Sequence, residues 1–386
     1  MKLPVLLLAV AMVATSARAA DPAPPSREEI TGAITRGIAY LRQQQQPDGS
    51  FAAPENGAAA KEHPALTALP LMAMQRDPSG TYRGLKAPEF MKKGYDYLRS
   101  KAQPDGGIYG SGLSNYNTSV CLMALLGTGE PADEPLIEKA RSFVAGQQAK
   151  GMLKPEMDGG FGYGPVGTSP KRQHPDLDNT LVALEALREY RQQRPQAELA
   201  KGQDLDFKAA IDFVSRCQNL PATNPLPWAS DDPANKGGFI YHPGVTNAGE
   251  QQLPNGKTAL RSYGTMTYGG LLSFIYADLK PSDQRVVAAL DWLKANYTLE
   301  ENPAMGRQGL YYYYNLTSRG LSAAGVDEFT APDGHKVSWR PELARKLLSL
   351  QEKDGSWVND TGRWMEKDPV LVTTYCILAL ENILAK

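Results

Sequence analysis

Gln351-Glu352-Lys353-Asp354-Gly355-Ser356-Trp357 decides the reading of this chain. An Asp-Gly turn ends there in a tryptophan, and an apolar stretch aligned on Thr373 follows. Working back toward the N-terminus, comparable turns recur at Asp48-Gly49-Ser50-Phe51, Asp105-Gly106-Gly107-Ile108, Asp158-Gly159-Gly160-Phe161, Gly237-Gly238-Phe239 and Gly309-Leu310-Tyr311. The stretches after them align on Thr67, Thr118, Thr180, Thr267 and Thr317. The six threonines are spaced by 51, 62, 87, 50 and 56 residues. A period of this size marks stacked supersecondary units.

Each unit reads as two helices around a turn. First helices, such as Glu28 to Gln46 with Ile30, Ile34, Ile38 and Leu41, or Pro341 to Gln351, keep one polar face. Second helices, such as the run from Thr180 to Leu187, are apolar nearly all round and call for burial on most sides. An outer ring of amphipathic helices around an inner ring of apolar ones satisfies both patterns. The fold class expected is all-α, an (α/α)6 toroid of six hairpins. Glycine supplies the positive φ of each turn, and the threonine is expected to cap its helix start. Pro/Gly/Asn-rich inserts at residues 150–158, 164–175, 220–236, 241–262 and 298–308 have the length of functional loops.

The Gln351 to Trp357 stretch matches the QxxDGxW repeat motif of the squalene cyclases, and Gln45-Gln46-Pro47-Asp48-Gly49-Ser50-Phe51 is a near match with Phe for Trp. The chain resembles the terpene cyclase and protein prenyltransferase superfamily from about residue 28 to 385. The resemblance implies an α/α toroid in which Gln45, Asp48, Phe51, Gln351, Asp354 and Trp357 tie neighbouring hairpins together. It also draws attention to Asp176-Leu177-Asp178-Asn179-Thr180, similar to the DxDDT motif of squalene-hopene-type cyclases. By that likeness Asp178 is the acid that protonates an alkene, Asp176 the first Asp, and Asn179 stands where the last Asp would be.

The six inner-helix starts face one mouth of the barrel. The residues just before each threonine are Leu66, Asn117, Asn179, Met266, Leu316 and Val372. One step earlier come Ala65, Tyr116, Asp178, Thr265, Asn315 and Leu371. Only the third unit offers a carboxylate. A neutral acid in a dry site is what alkene protonation needs, and burial beside a second carboxyl keeps the proton on. Aromatic faces would meet the cation that follows. Tyrosine outnumbers phenylalanine 18 to 9, and Tyr116, Asn117, Tyr268 and Tyr314 are the substrate-contact candidates. The plain alternative makes Asp178 a helix N-cap, with Asp176 serving the helix dipole.

The ends and the composition set limits. Lys2, the apolar run Leu3 to Val13 and Ala17-Arg18-Ala19 read as a secretory signal over residues 1–19, with an uncleaved anchor as the alternative. Residues 20–27 then form a flexible leader and residues 28–386 the toroid. The expected location is periplasmic or extracellular. A formal net charge of −1 gives no electrostatic case for nucleic acid. Cys121, Cys217 and Cys376 read as buried small hydrophobes. His63, His174, His242 and His335 are scattered through loops, so no metal and no cofactor is expected.

Two function classes follow. One is a binding or scaffold toroid whose catalytic motif has degenerated, favoured because a lone toroid lacks the second domain of the squalene cyclases and because of Asn179. The other is a terpene cyclase-like enzyme acting on an apolar or isoprenoid small molecule with Asp178. A carbohydrate-processing toroid is a third reading, with Lys257, Arg261 and Arg340 as its basic candidates. No protein partner is named by the sequence.

Overall fold

The computed structural model describes residues 23–51, 63–84, 87–166, 168–195 and 204–385. The segment expected to be a signal, residues 1–19, lies outside these residues. Among them, twelve α-helices alternate between an outer and an inner layer. The inner ones are α2 (Ala65–Arg76), α4 (Ser114–Leu126), α6 (Leu177–Gln193), α8 (Gly264–Tyr276), α10 (Leu310–Ala323) and α12 (Pro369–Leu384). Each packs on the next, and α12 packs back on α2, so the ring is closed. The outer helices are α1 (Arg27–Gln44), α3 (Glu89–Ser100), α5 (Glu134–Gly146), α7 (Phe207–Arg216), α9 (Gln284–Ala295) and α11 (Trp339–Leu350). Two short antiparallel hairpins are the only strands among the described residues. They are β1 (Glu250–Gln252) with β2 (Thr258–Leu260), and β3 (Glu328–Thr330) with β4 (Lys336–Ser338).

Local chemistry explains the helix starts. Ser26 and Glu29 form a reciprocal capping box on α1, so the leader ends in an ordered cap rather than running loose to residue 27. Asp176, Asp206, Asp283 and Asp368 cap α6, α7, α9 and α12 through their side chains. In α4 every residue except Tyr116 is buried, as a helix walled on all sides must be.

The repeat threonine ties the turn to the inner helix. The Thr67, Thr118, Thr180, Thr267 and Thr373 hydroxyls accept the N–H of Phe51, Ile108, Phe161, Phe239 and Trp357 at 2.9–3.1 Å. Thr118, Thr180 and Thr267 also donate to the carbonyl four residues back. The expected helix cap is therefore corrected: the hydroxyl satisfies a buried turn N–H. Unit five departs from the pattern. Its α10 has Gly309 as N-cap, eight residues before Thr317, where the other N-caps stand three to five residues before their threonine, so Thr317 does not hold the register there.

The glutamine ties one hairpin to the next. Gln45 Nε2 bonds the Gly49 carbonyl of its own turn and the Phe90 carbonyl of α3. Gln351 Nε2 bonds Gly355 and, across the ring closure, Ala33 of α1. Gln148 and Gln218 do the same in the middle units, though no motif there betrays them. Gly355 takes φ +92°, and a Cβ there would strike the Arg36 carbonyl of α1. Trp357 is fully buried, and its Nε1 donates to the Leu347 carbonyl at 2.8 Å. First and last hairpins are thus locked through the motif that opened the sequence.

Candidate functional site

Where the inner helices begin, the barrel opens into a cavity of about 730 Å³. This is the range of small-molecule pockets. Ala65, Tyr116, Asp178, Thr265 and Leu371, all two residues before a repeat threonine, line it. So do Leu66, Asn117 and Met266 from the next position. Loops complete the wall with Tyr163, Tyr241 and Tyr263, and with the segment from Gly362 to Pro369. In that segment Trp364 and Met365 hold positive φ and are partly exposed at the rim.

The two aspartates have separate tasks. Asp176 is fully buried and is the N-cap of α6, accepting the Asn179 N–H at 2.9 Å. Asn179 Nδ2 reaches the other Asp176 oxygen at 2.8 Å. This corrects the capping reading, since Asp176, not Asp178, caps the helix, and it shows Asn179 bonded to Asp176. Asp178 is left to face the cavity. Its Oδ1 accepts a 2.7 Å hydrogen bond from the Tyr312 hydroxyl of α10. Burial raises the Asp178 pKa, while the Tyr312 bond and the Arg319 charge oppose the rise. Burial first, and the Asp178 charge second, push the Asp176 pKa up to about 7. Both carboxyls are thus raised above their ordinary range, Asp176 in part by the charge of its neighbour.

Tyrosines frame this pair. The Tyr241 hydroxyl lies beside Asp176 and the Tyr163 hydroxyl. Tyr116 and Tyr375 sit hydroxyl to hydroxyl, and the Tyr312 and Tyr375 rings pack at 5.3 Å between centroids. Burial pushes all of these phenols above their ordinary range, so they stay neutral donors with intact π faces. Deeper in the lumen, Arg319 pairs with Glu185 at 2.5 Å and Arg76 with Glu189 at 3.1 Å.

Not every sequence candidate reaches the cavity. Tyr116, Asn117 and Asp178 line it, whereas Asp176 and Asn179 lie behind the wall. Tyr268 packs against Tyr313 and Gly320, and Tyr314 donates to the Leu299 carbonyl at 2.6 Å, so both lie outside the lining. Leu316 and Asn315 are displaced by the unit-five register, and Tyr312 lines the cavity instead. Sequence reasoning misses Tyr163 and Tyr241, yet each stands two residues after a turn aromatic, Phe161 or Phe239, a signal the repeat alignment contains. Lys257, Arg261 and Arg340 are also outside the lining; Arg340 pairs with Asp327 and covers Trp339. The histidines are not all scattered: His174 and His242 rings meet at 4.4 Å. Burial, then the His174 charge, lowers the His242 pKa to about 4. Among the described residues no group of three metal-ligating side chains forms. The three cysteines are buried and unpaired.

Comparison with solved structures settles the architecture. The type II terpene cyclase MstE from Scytonema superposes with a TM-score of 0.57 at 12% identity, over 92% of this chain and 98% of that one. The fold is an α/α toroid. The same architecture is found in the GH76A α-1,6-mannanase from Salegentibacter sp. HEL1_6, with a TM-score of 0.57, 10% identity, and coverage of 92% and 99%. An arginine-to-alanine variant of MstE has also been solved with geranylgeranyl dihydroxybenzoate as substrate. That structure matches with a TM-score of 0.53 at 13% identity, over 92% of this chain and 97% of that one. No family model and no curated protein matches the sequence.

Proposed function

We propose that this toroid is an enzyme of the terpene cyclase type, with Asp178 as the acid that protonates an isoprenoid double bond. The single observation that carries the reading is the division of labour between the aspartates. Asp176 caps α6, so the Asp178 carboxyl is free to face a tyrosine-lined cavity. In the step, the Asp178 O–H bond breaks as a C–H bond forms at one alkene carbon, leaving the positive charge on the other. A second double bond of the same molecule attacks that carbon and closes a ring. The final cation gives a proton to solvent water and the Asp178 carboxylate takes one up from solvent, so the site returns to its starting charge and the net reaction is an isomerisation. The faces of Tyr116, Tyr312 and Tyr375 stabilise the cation, an effect of about 0.5–2 kcal/mol per well-placed ring. Burial raises the pKa of both carboxyls, the direction that favours the proton-holding form an acid needs.

Two observations favour the enzyme reading over the scaffold reading. Asn179 holds Asp176 rather than replacing a partner of Asp178. MstE, named as a type II terpene cyclase, is matched over 98% of its own length, so a toroid of this size is compatible with chemistry. The carbohydrate reading rests on the mannanase likeness alone, because its basic candidates lie away from the cavity. Export remains part of the proposal, on the residues 1–19 signal pattern.

The test incubates the protein with a lipid extract and identifies what co-purifies by mass spectrometry. An isoprenoid bound by wild type, and recovered unreacted from Asp178→Asn, is the expected result. If nothing isoprenoid is retained by either protein, the reading fails.

A further inference from the structure

Helix α10 cannot cap its own start. Its N-cap is Gly309, at φ +67° and with no side chain to offer. A Cβ at that position would lie 3.1 Å from the Trp364 ring, so a residue carrying a capping group would meet the mouth segment. The first-turn N–H groups still need acceptors, because Leu310 and Tyr311 are buried. Helices α2 and α8 meet the same need with a neighbour's amide oxygen. The Ala65 N–H of α2 bonds Asn117 Oδ1, and the Thr265 N–H of α8 bonds Asn302 Oδ1, each at 3.1 Å. Helix α10 takes a carboxylate.

That carboxylate is Glu366, from the segment before α12. It is buried, and its Oε1 accepts the Tyr312 N–H at 2.8 Å. The Tyr311 and Leu310 N–H groups bond the same carboxylate. A negative group here also meets the positive end of the helix dipole. Glu366 is itself fixed. Asn359, fully buried, donates Nδ2 to Glu366 Oε2 at 2.6 Å and to the Arg307 carbonyl at 2.8 Å. The Asn359 N–H bonds the Glu366 carbonyl at 3.1 Å. Tyr312 is therefore held at both ends: its N–H bonds Glu366, and its hydroxyl donates to Asp178 at 2.7 Å.

We propose that Glu366 is a positioning residue for the acid: by capping α10 from another segment it keeps the first turn wound, and the wound turn carries the Tyr312 hydroxyl to Asp178. Its catalytic consequence rests on the reading of Asp178 as the acid; the geometry does not. Without Glu366 the first-turn N–H groups lose their acceptor, Gly309 supplies none in its place, and Tyr312 loses its aim across the lumen. Two effects of that loss oppose each other at Asp178. Removing a negative charge strengthens a carboxylic acid, whereas removing the Tyr312 bond weakens it. Beyond burial, the Asp178 carboxyl answers to Tyr312 and Arg319, so the weakening dominates.

The experiment is a carbon-detected NMR titration of the Asp178 carboxyl in the full protein, on Glu366→Ala, Glu366→Gln, Tyr312→Phe and the two double variants. Glu366→Ala should make Asp178 a weaker acid by about tenfold to a hundredfold, the scale of one hydrogen bond to a charged group. Glu366→Gln keeps an acceptor oxygen without the charge, and should weaken the acid by less, in the same direction. Neither should add to the effect of Tyr312→Phe, since both act through that bond. A thermal scan verifies that each variant is folded; should Glu366→Ala not fold, Glu366→Gln and its double variant decide alone. An Asp178 that is unchanged or stronger as an acid in the folded variants, or a weakening that persists at full size in the Tyr312→Phe background, overturns the positioning role. The titration needs no ligand, so its outcome is separate from that of the isoprenoid reading, which the co-purification test decides.

Discussion

The Tyr312 hydroxyl reaches across the lumen from α10 to donate a 2.7 Å hydrogen bond to Asp178 on α6. The two helices are not neighbours, since α8 stands between them in the ring. The same Tyr312 presents its backbone N–H to Glu366 of the mouth segment. One residue therefore links the acid to the rim.

Tyr312→Phe removes a bond that favours the charged form of Asp178. The Asp178 pKa, already raised by burial, should rise further, since a hydrogen bond to a charged group contributes about 1.5–3 kcal/mol. Carbon-detected NMR titration of the carboxyl checks this. An unchanged or lower pKa would mean that the bond does not act on the charged form.

Asp176 predicts a pH dependence of stability. Its folded pKa, about 7, lies above the ordinary value of 3.8. A raised carboxyl stabilises the fold most below its unfolded pKa, and that contribution is lost as pH rises through the folded pKa. Asp176→Asn has no proton to lose. Relative to wild type it should gain stability as the pH is taken from about 4 to about 7, by about 1.4 kcal/mol per pH unit crossed. Denaturant melts at the two ends of that range measure the difference, and a pH-independent gap would contradict the assignment.

Ring closure should be costly to disturb. Gln351→Ala loses bonds to both Ala33 and Gly355, for about 1–3 kcal/mol. Trp357→Ala empties a fully buried site and should cost about 3–5 kcal/mol. Thr180→Val leaves the Phe161 N–H buried without an acceptor, at about 1–3 kcal/mol. Chemical denaturation ranks the three, with Trp357→Ala lowest.

The ring is readable in the sequence because its determinants are local. A turn glycine, the aromatic after it and the threonine downstream lie within one hairpin, so alignment alone recovers five of the six registers. Unit five escapes because Thr317 happens to follow Gly309 at a plausible distance, while Gly309 is itself the N-cap of α10 and leaves Thr317 deeper in the helix than the other repeat threonines. The position two before the threonine is a sound guide to the cavity in the other units, and it singles out Asp178. The division between Asp176 and Asp178 is not readable, because either residue has the chemistry of a cap and only the backbone decides which side chain turns back. The rim is hidden for a different reason. Trp364 and Met365 adopt left-handed backbone against their local preference, and the buried Glu366 bond to Tyr312 spans 54 residues of sequence.

The most direct measurement of the central claim is solvent proton transfer. The protein is incubated with farnesyl and geranylgeranyl compounds in deuterium oxide, and the products are analysed by mass spectrometry. A cyclised isomer carrying one carbon-bound deuterium, formed by wild type and not by Asp178→Asn that still binds the substrate, is the expected result. Product formed equally by Asp178→Asn, or substrate bound by wild type and recovered unchanged without deuterium, would contradict the assignment of Asp178 as the acid.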